Sequence, residues 1–109
     1  MTVNLSDLRD ANARRQDEWC DNGAVPDLSF RATELAGETG EACNVVKKLE
    51  RERHGWRGSR ATKEALAAEL ADVIICADLL AMTAGIDLAA AVREKFNATS
   101  EANGLTTRL

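Results

Sequence analysis

Histidine, proline and aromatic residues are scarce in this chain, and each scarcity removes a class of protein. Of 109 residues, one is His, one Pro, two Trp, two Phe and none Tyr. So few aromatics mean an aliphatic, small core. The single histidine, His54, has Arg51 three positions before it, which leaves no E-x-x-H pair and removes the di-iron signature of helix bundles. Without His ligands, iron is a poor candidate metal. Cysteine is limited to Cys20, Cys43 and Cys76, an odd number at wide spacing with no C-x-x-C. No signal-like apolar segment accompanies them, so they are expected to be reduced thiols of a cytoplasmic protein. No apolar run approaches the roughly 20 residues of a spanning helix. The longest, residues 73–82, is interrupted by Asp78, and no membrane association is expected.

Positive charge is also in deficit. Fourteen Lys and Arg face eighteen Asp and Glu, for a net charge of −4 and a pI near 5.0. That balance argues against a stable nucleic-acid binder held by phosphate contacts, and the acid excess is what a cation site would supply. The length suits one domain, residues 1–109, with one modest core. With 45% hydrophobic residues, a lone Pro and many Ala, Leu, Glu and Arg, the composition is that of a soluble all-α protein.

Four helices are predicted. The first covers residues 7–20 with Ser6 as its N-cap, and Leu8, Ala11, Arg15 and Trp19 fall along one side. Gly23 and Pro26 place a loop at 21–29. The second helix is capped by Asp27 or Ser29 and stops near Gly55. Gly37 and Gly40 are unusual inside it, explained either by close approach of another helix or ligand or as tolerated defects. Residues 54–60, with two Gly, a Trp and two Arg, form a basic loop able to close over phosphates. The third helix spans about 63–83 between Thr62 and Gly85; its second half is apolar nearly all round, which predicts cover from another subunit. Asp78 there projects away from the other acids, as a surface or interface residue. The fourth starts after Asp87 and continues to about Ala102.

Acidic residues carry the chemistry. Glu38 and Glu41 stand three apart on the second helix, as do Glu69 and Asp72 on the third, so each pair shares a helix face. Glu34, Glu38 and Glu41 lie beside the apolar line Leu28, Leu35, Ala42, Val46 and Leu49. Glu69 and Asp72 share the sector of Leu66, Val73, Cys76 and Leu80. All are expected to point inward, where ionised carboxylates need cations. Arg31 and Lys48 neutralise only part of such a cluster and are candidates to meet substrate. A carboxylate set lacking His and Cys suits hard cations, Mg²⁺ above all, with Mn²⁺ as a substitute.

The pattern Glu38-x-x-Glu41 followed by Glu69-x-x-Asp72 resembles the signature of the MazG-like all-α nucleoside triphosphate pyrophosphohydrolases, relatives of the dimeric dUTPases and small dCTP pyrophosphatases. The resemblance runs from Arg15-x-x-x-Trp19 to Arg93-Glu94-Lys95-Phe96-Asn97 and covers most of the chain. It implies a bundle of four main helices completed as a homodimer or homotetramer. It also implies hydrolysis between the α- and β-phosphates, giving a monophosphate and pyrophosphate, in nucleotide-pool control or clearance. Glu38, Glu41, Glu69 and Asp72 would hold metal, with Glu34 or Glu38 as the catalytic carboxylate. Lys95 and Asn97 would engage the triphosphate. Trp19 either borders the nucleobase or packs, with Asn12 and Arg15 as weaker candidates for the same pocket. Where some relatives carry two adjacent acids, Gly37 precedes Glu38 here, so the general base is unassigned. Two other functions suit the same residues: a non-catalytic helical interaction module whose acids pair across subunits, and a carboxylate metal-binding bundle.

Overall fold

Capping side chains fix where each helix begins. In a computed structural model describing residues 2–109, α1 spans Leu5–Trp19, α2 Leu28–Arg53, α3 Lys63–Thr83 and α4 Leu88–Ala102. Asn4, Asp27, Thr62 and Asp87 each accept a hydrogen bond from the backbone N–H three residues on, at 2.8, 2.8, 3.1 and 3.1 Å. Asn4, not Ser6, therefore caps α1, which starts two residues earlier than predicted. Either polar side chain can cap, and periodicity does not choose between neighbours. Gly55 and Gly85 take φ of 71° and 72° just past α2 and α3, the left-handed geometry that ends a helix.

The described residues are all α, with no strand. α2 and α3 form a long antiparallel pair, α1 crosses the C-terminal half of α3, and α4 leaves α3 at 107° to touch only α1 and α3. The fully buried apolar core is small: Ala42, Cys76, Leu79 and Ala81. Leu28 and Val46, expected on the inner line of α2, are 52% and 43% exposed. The inner line instead follows Arg31, Leu35, Glu38, Ala42, Val45 and Leu49.

Asp78 corrects the expectation of a surface acid. It is 1% exposed and receives Arg9 Nε at 3.2 Å and Asn12 Nδ2 at 3.0 Å, while Arg9 Nη2 also donates to the Ile86 carbonyl at 2.8 Å. α1 of the same chain thus covers the Asp78 side of α3, while Ile74 on that half of the helix is 51% exposed. Asn12, buried and committed to Asp78, is a packing residue and does not belong to a base pocket.

The chain is open. Its Cα radius of gyration is 17.2 Å, against about 13 Å for a compact domain of this length. Its accessible surface is 7910 Å², against roughly 5,900 Å² for a folded monomer of this mass.

A carboxylate cluster between α2 and α3

The antiparallel pairing of α2 and α3 brings the two acidic motifs to one level. Carboxylate oxygens of Glu38, Glu41 and Glu69 lie within 4.8 Å of one another. Glu38 and Glu69 are half-buried, and one oxygen of each, Oε2, is buried without a hydrogen-bond partner. Glu41 and Asp72 are exposed, which corrects the expectation that all the acids point inward. Three-residue spacing turns a helix by about 300°, so the second acid of each pair stands nearer the rim.

Electrostatics match this geometry. The Glu38 carboxyl is held above its ordinary pKa, first by burial and then by the charges of Glu41, Asp72 and Glu69. Glu69 is raised as well, by burial and then by Glu41 and Asp72. Asp72 thus acts on both carboxyls, although it lies outside the tight trio. Cys76, which sequence reasoning left as a helix residue, lies beneath the cluster. Its thiol is pushed up to about 12, by burial first and then by Glu34, Glu38 and Asp72. A thiol held so high stays protonated at neutral pH, and its sulfur does not join the trio.

No cationic side chain forms an ion pair with the trio among the described residues. Arg31 is 5% exposed and spent elsewhere: Nη1 donates to both oxygens of Glu34 at 3.2 and 3.3 Å, and Nη2 to Gln16 Oε1 at 2.8 Å. Lys48 is half-buried on the same inner face and forms no ion pair. Oxygen-only ligands, two buried unpartnered oxygens and mutually repelling carboxyls fit a hard divalent ion.

Beside the trio lies a depression of about 340 Å³ lined by Phe30, Thr33, Glu34, Gly37, Glu38 and Glu41. Phe30, 55% exposed, is the one aromatic among these lining residues and a residue that sequence reasoning missed. One signal was available: an aromatic one turn before Glu34 on the same helix. Gly37 lines the depression, and a Cβ there would meet nothing within 4 Å in the protomer.

The remaining candidates lie apart from the trio. Trp19 ends α1, 74% exposed, with the Arg15 guanidinium 5.0 Å from its ring centroid. It is therefore not a core residue of the chain. Lys95 lies on the outer face of α4, in an apolar groove of about 580 Å³ with Val92, Phe96 and Leu105. Asn97 Oδ1 accepts from the Leu109 N–H at 2.7 Å, which ties the last residue to α4. Because α4 does not touch α2, the fold of the single chain does not bring Lys95 and Asn97 to the carboxylates. The loop 54–60 is braced rather than loose: Arg51 Nη1 donates to the Ser59 carbonyl at 2.8 Å, and His54 stacks on Trp56 at 4.5 Å.

Compared with models of known protein families and with curated proteins, the chain matches none.

Proposed function

We propose that this protein is a Mg²⁺-dependent nucleoside triphosphate pyrophosphohydrolase that converts a (d)NTP and water to a (d)NMP and pyrophosphate. The observation that carries it is the convergence of Glu38, Glu41 and Glu69 with two buried oxygens lacking any partner. Acids merely solvated on a helix surface would not keep oxygens away from water, because each unmatched buried polar atom costs free energy. Substrate phosphates are the usual co-ligands of a Mg²⁺ held by a few carboxylates.

Glu38, Glu41 and Glu69 would hold the ion, with Asp72 at the rim as a further ligand. When bound, Mg²⁺, or Mn²⁺ in its place, neutralises charge developing on the phosphates and supplies a water acidic enough to attack phosphorus. Glu34, oriented by two hydrogen bonds from Arg31 Nη1, would accept the proton of that water. Phe30 offers its exposed ring to the base across the depression that holds Glu34 and Glu38. Lys95, on an exposed apolar groove, reaches the triphosphate from a second copy of the chain. The protomer's excess of roughly 2,000 Å² of surface over a compact monomer is the scale of one subunit's share in a large obligate interface, which supports a homodimer or homotetramer.

The test is a screen of common and modified nucleoside triphosphates with Mg²⁺ or Mn²⁺, quantifying monophosphate and pyrophosphate separately. Glu41→Gln and Asp72→Asn should each abolish pyrophosphate release and leave the assembly mass unchanged. Orthophosphate as the sole phosphate product refutes the proposed bond. A non-catalytic interaction module is favoured instead if Mg²⁺ leaves the melting temperature unchanged while those substitutions alter the assembly mass.

A further inference from the structure

Glu34 stands one turn before Glu38 on the same face of α2, the spacing at which two side chains meet. Its oxygens nevertheless do not join the trio of Glu38, Glu41 and Glu69. The reason is visible in its partner. Arg31, three residues earlier, draws the Glu34 carboxylate back with two hydrogen bonds of 3.2 and 3.3 Å from Nη1. Nη2 of the same guanidinium donates to Gln16 of α1 at 2.8 Å, and this is the only side-chain hydrogen bond between α1 and α2 among the described residues. Arg31 is thus fixed from two sides, one of them a different helix.

Packing alone does not account for an arginine here. Arg31 is 5% exposed, and its Nε is buried without a hydrogen-bond partner. A Met of similar reach would fill the space without an unmatched buried donor. What a Met lacks is a planar guanidinium whose Nη1 bonds both Glu34 oxygens while Nη2 is held by Gln16, an arrangement that fixes the direction of the carboxylate.

We propose that Arg31 is a positioning residue that withholds Glu34 from the cation cluster, so that this carboxylate stays uncoordinated and faces the water at the site. The inference rests on the cation-dependent activity proposed above, and its test reads cation affinity apart from turnover. Released from Arg31, Glu34 swings onto the Glu38 side and becomes an additional oxygen ligand. The ion then binds more tightly while the proton acceptor is lost.

The experiment is calorimetric titration of the full chain with Mg²⁺ and Mn²⁺, as wild type, Arg31→Met, Glu34→Gln and the double variant, alongside kcat and KM. Arg31→Met should tighten cation binding by about threefold or more, from one added negative charge at the ion. Its kcat should fall with KM little changed. The gain in affinity should vanish when Glu34→Gln is added, because no carboxylate is left to swing. Gln16→Leu, which keeps Arg31 but removes its brace, should move affinity in the same direction by less, and serves if Arg31→Met does not fold. Unchanged or weaker binding in the Arg31 and Gln16 variants overturns the inference, since a purely structural role loosens the whole site. So does a gain that survives Glu34→Gln, which would be the long-range effect of deleting a positive charge. A wild type that binds the cation but hydrolyses no nucleotide refutes the activity alone, and the affinities still decide the role of Arg31.

Discussion

The Arg9–Asp78 pair offers a sharp test of what holds α1 onto α3. Asp78 is 1% exposed and Arg9 26%, so the two ends of the pair are not equivalent. Removing the cation with Arg9→Met leaves a buried carboxylate with one remaining donor, Asn12 Nδ2 at 3.0 Å. Breaking a buried ion pair from that side costs about 3–5 kcal/mol. Removing the charge of the acid with Asp78→Asn leaves Arg9 partly in water and still bonded to the Ile86 carbonyl at 2.8 Å. That substitution should cost only about 1–2 kcal/mol. At an unfolding entropy near 0.23 kcal/mol per degree for a chain this long, Arg9→Met lowers Tm by roughly 13 °C or more, and Asp78→Asn by about 4–9 °C. The double variant Arg9→Met/Asp78→Leu, which strands no charge, should be more stable than Arg9→Met alone. Thermal melts followed by circular dichroism at fixed protein concentration measure all three. If Asp78→Asn proves as damaging as Arg9→Met, the buried carboxylate is not the costly partner and the reasoning fails.

Two further predictions concern the cluster and the glycines. Glu38 and Glu69 have pKa values raised on folding, so the folded chain holds those protons more tightly than the unfolded chain. Their contribution is fully present below the unfolded carboxylate range and is lost as pH rises through the raised values. The metal-free protein should therefore lose stability across that window, Glu69→Gln should flatten the loss, and saturating Mg²⁺ should restore stability above it; a Tm that rises through the window with no cation response contradicts this. Gly58 has φ of 127°, and a Cβ there would come within 2.8 Å of the Arg51 guanidinium, so Gly58→Ala should destabilise by more than about 1 kcal/mol in urea melts. Gly37→Ala and Gly40→Ala meet nothing in the protomer and should stabilise each chain by up to about 1 kcal/mol, unless a second copy packs there, in which case the assembly mass falls instead.

Helix content and most boundaries and caps, those of α1 excepted, were written in the sequence because they are local. Asp27, Thr62 and Asp87 cap the helices that their own neighbours form, and Gly55 and Gly85 stop them by backbone geometry alone. The acidic pairs were legible for the same reason, since a helix places residues three apart on one face whatever surrounds it. Depth was not legible. Periodicity put Glu41 and Asp72 inside with their partners, but the inner stripe is set by how α2 and α3 rotate against each other, and that rotation carries them to the rim.

What only the tertiary structure decided is which charge each buried group meets. Asp78 looked like a surface acid because its partner, Arg9, lies 69 residues away, a separation at which no pattern along the chain gives direction. Arg31 looked like a cation for the cluster, yet Gln16 and Glu34 hold it away. The sequence by itself determined four helices and a set of carboxylates at cation-binding spacing. The packing of α1 across α3 matched Asp78 to Arg9, and the pairing of α2 with α3 left Glu38, Glu41 and Glu69 together without a cationic partner among the described residues, because pairing in a low-dielectric interior depends on distances that only the folded chain defines.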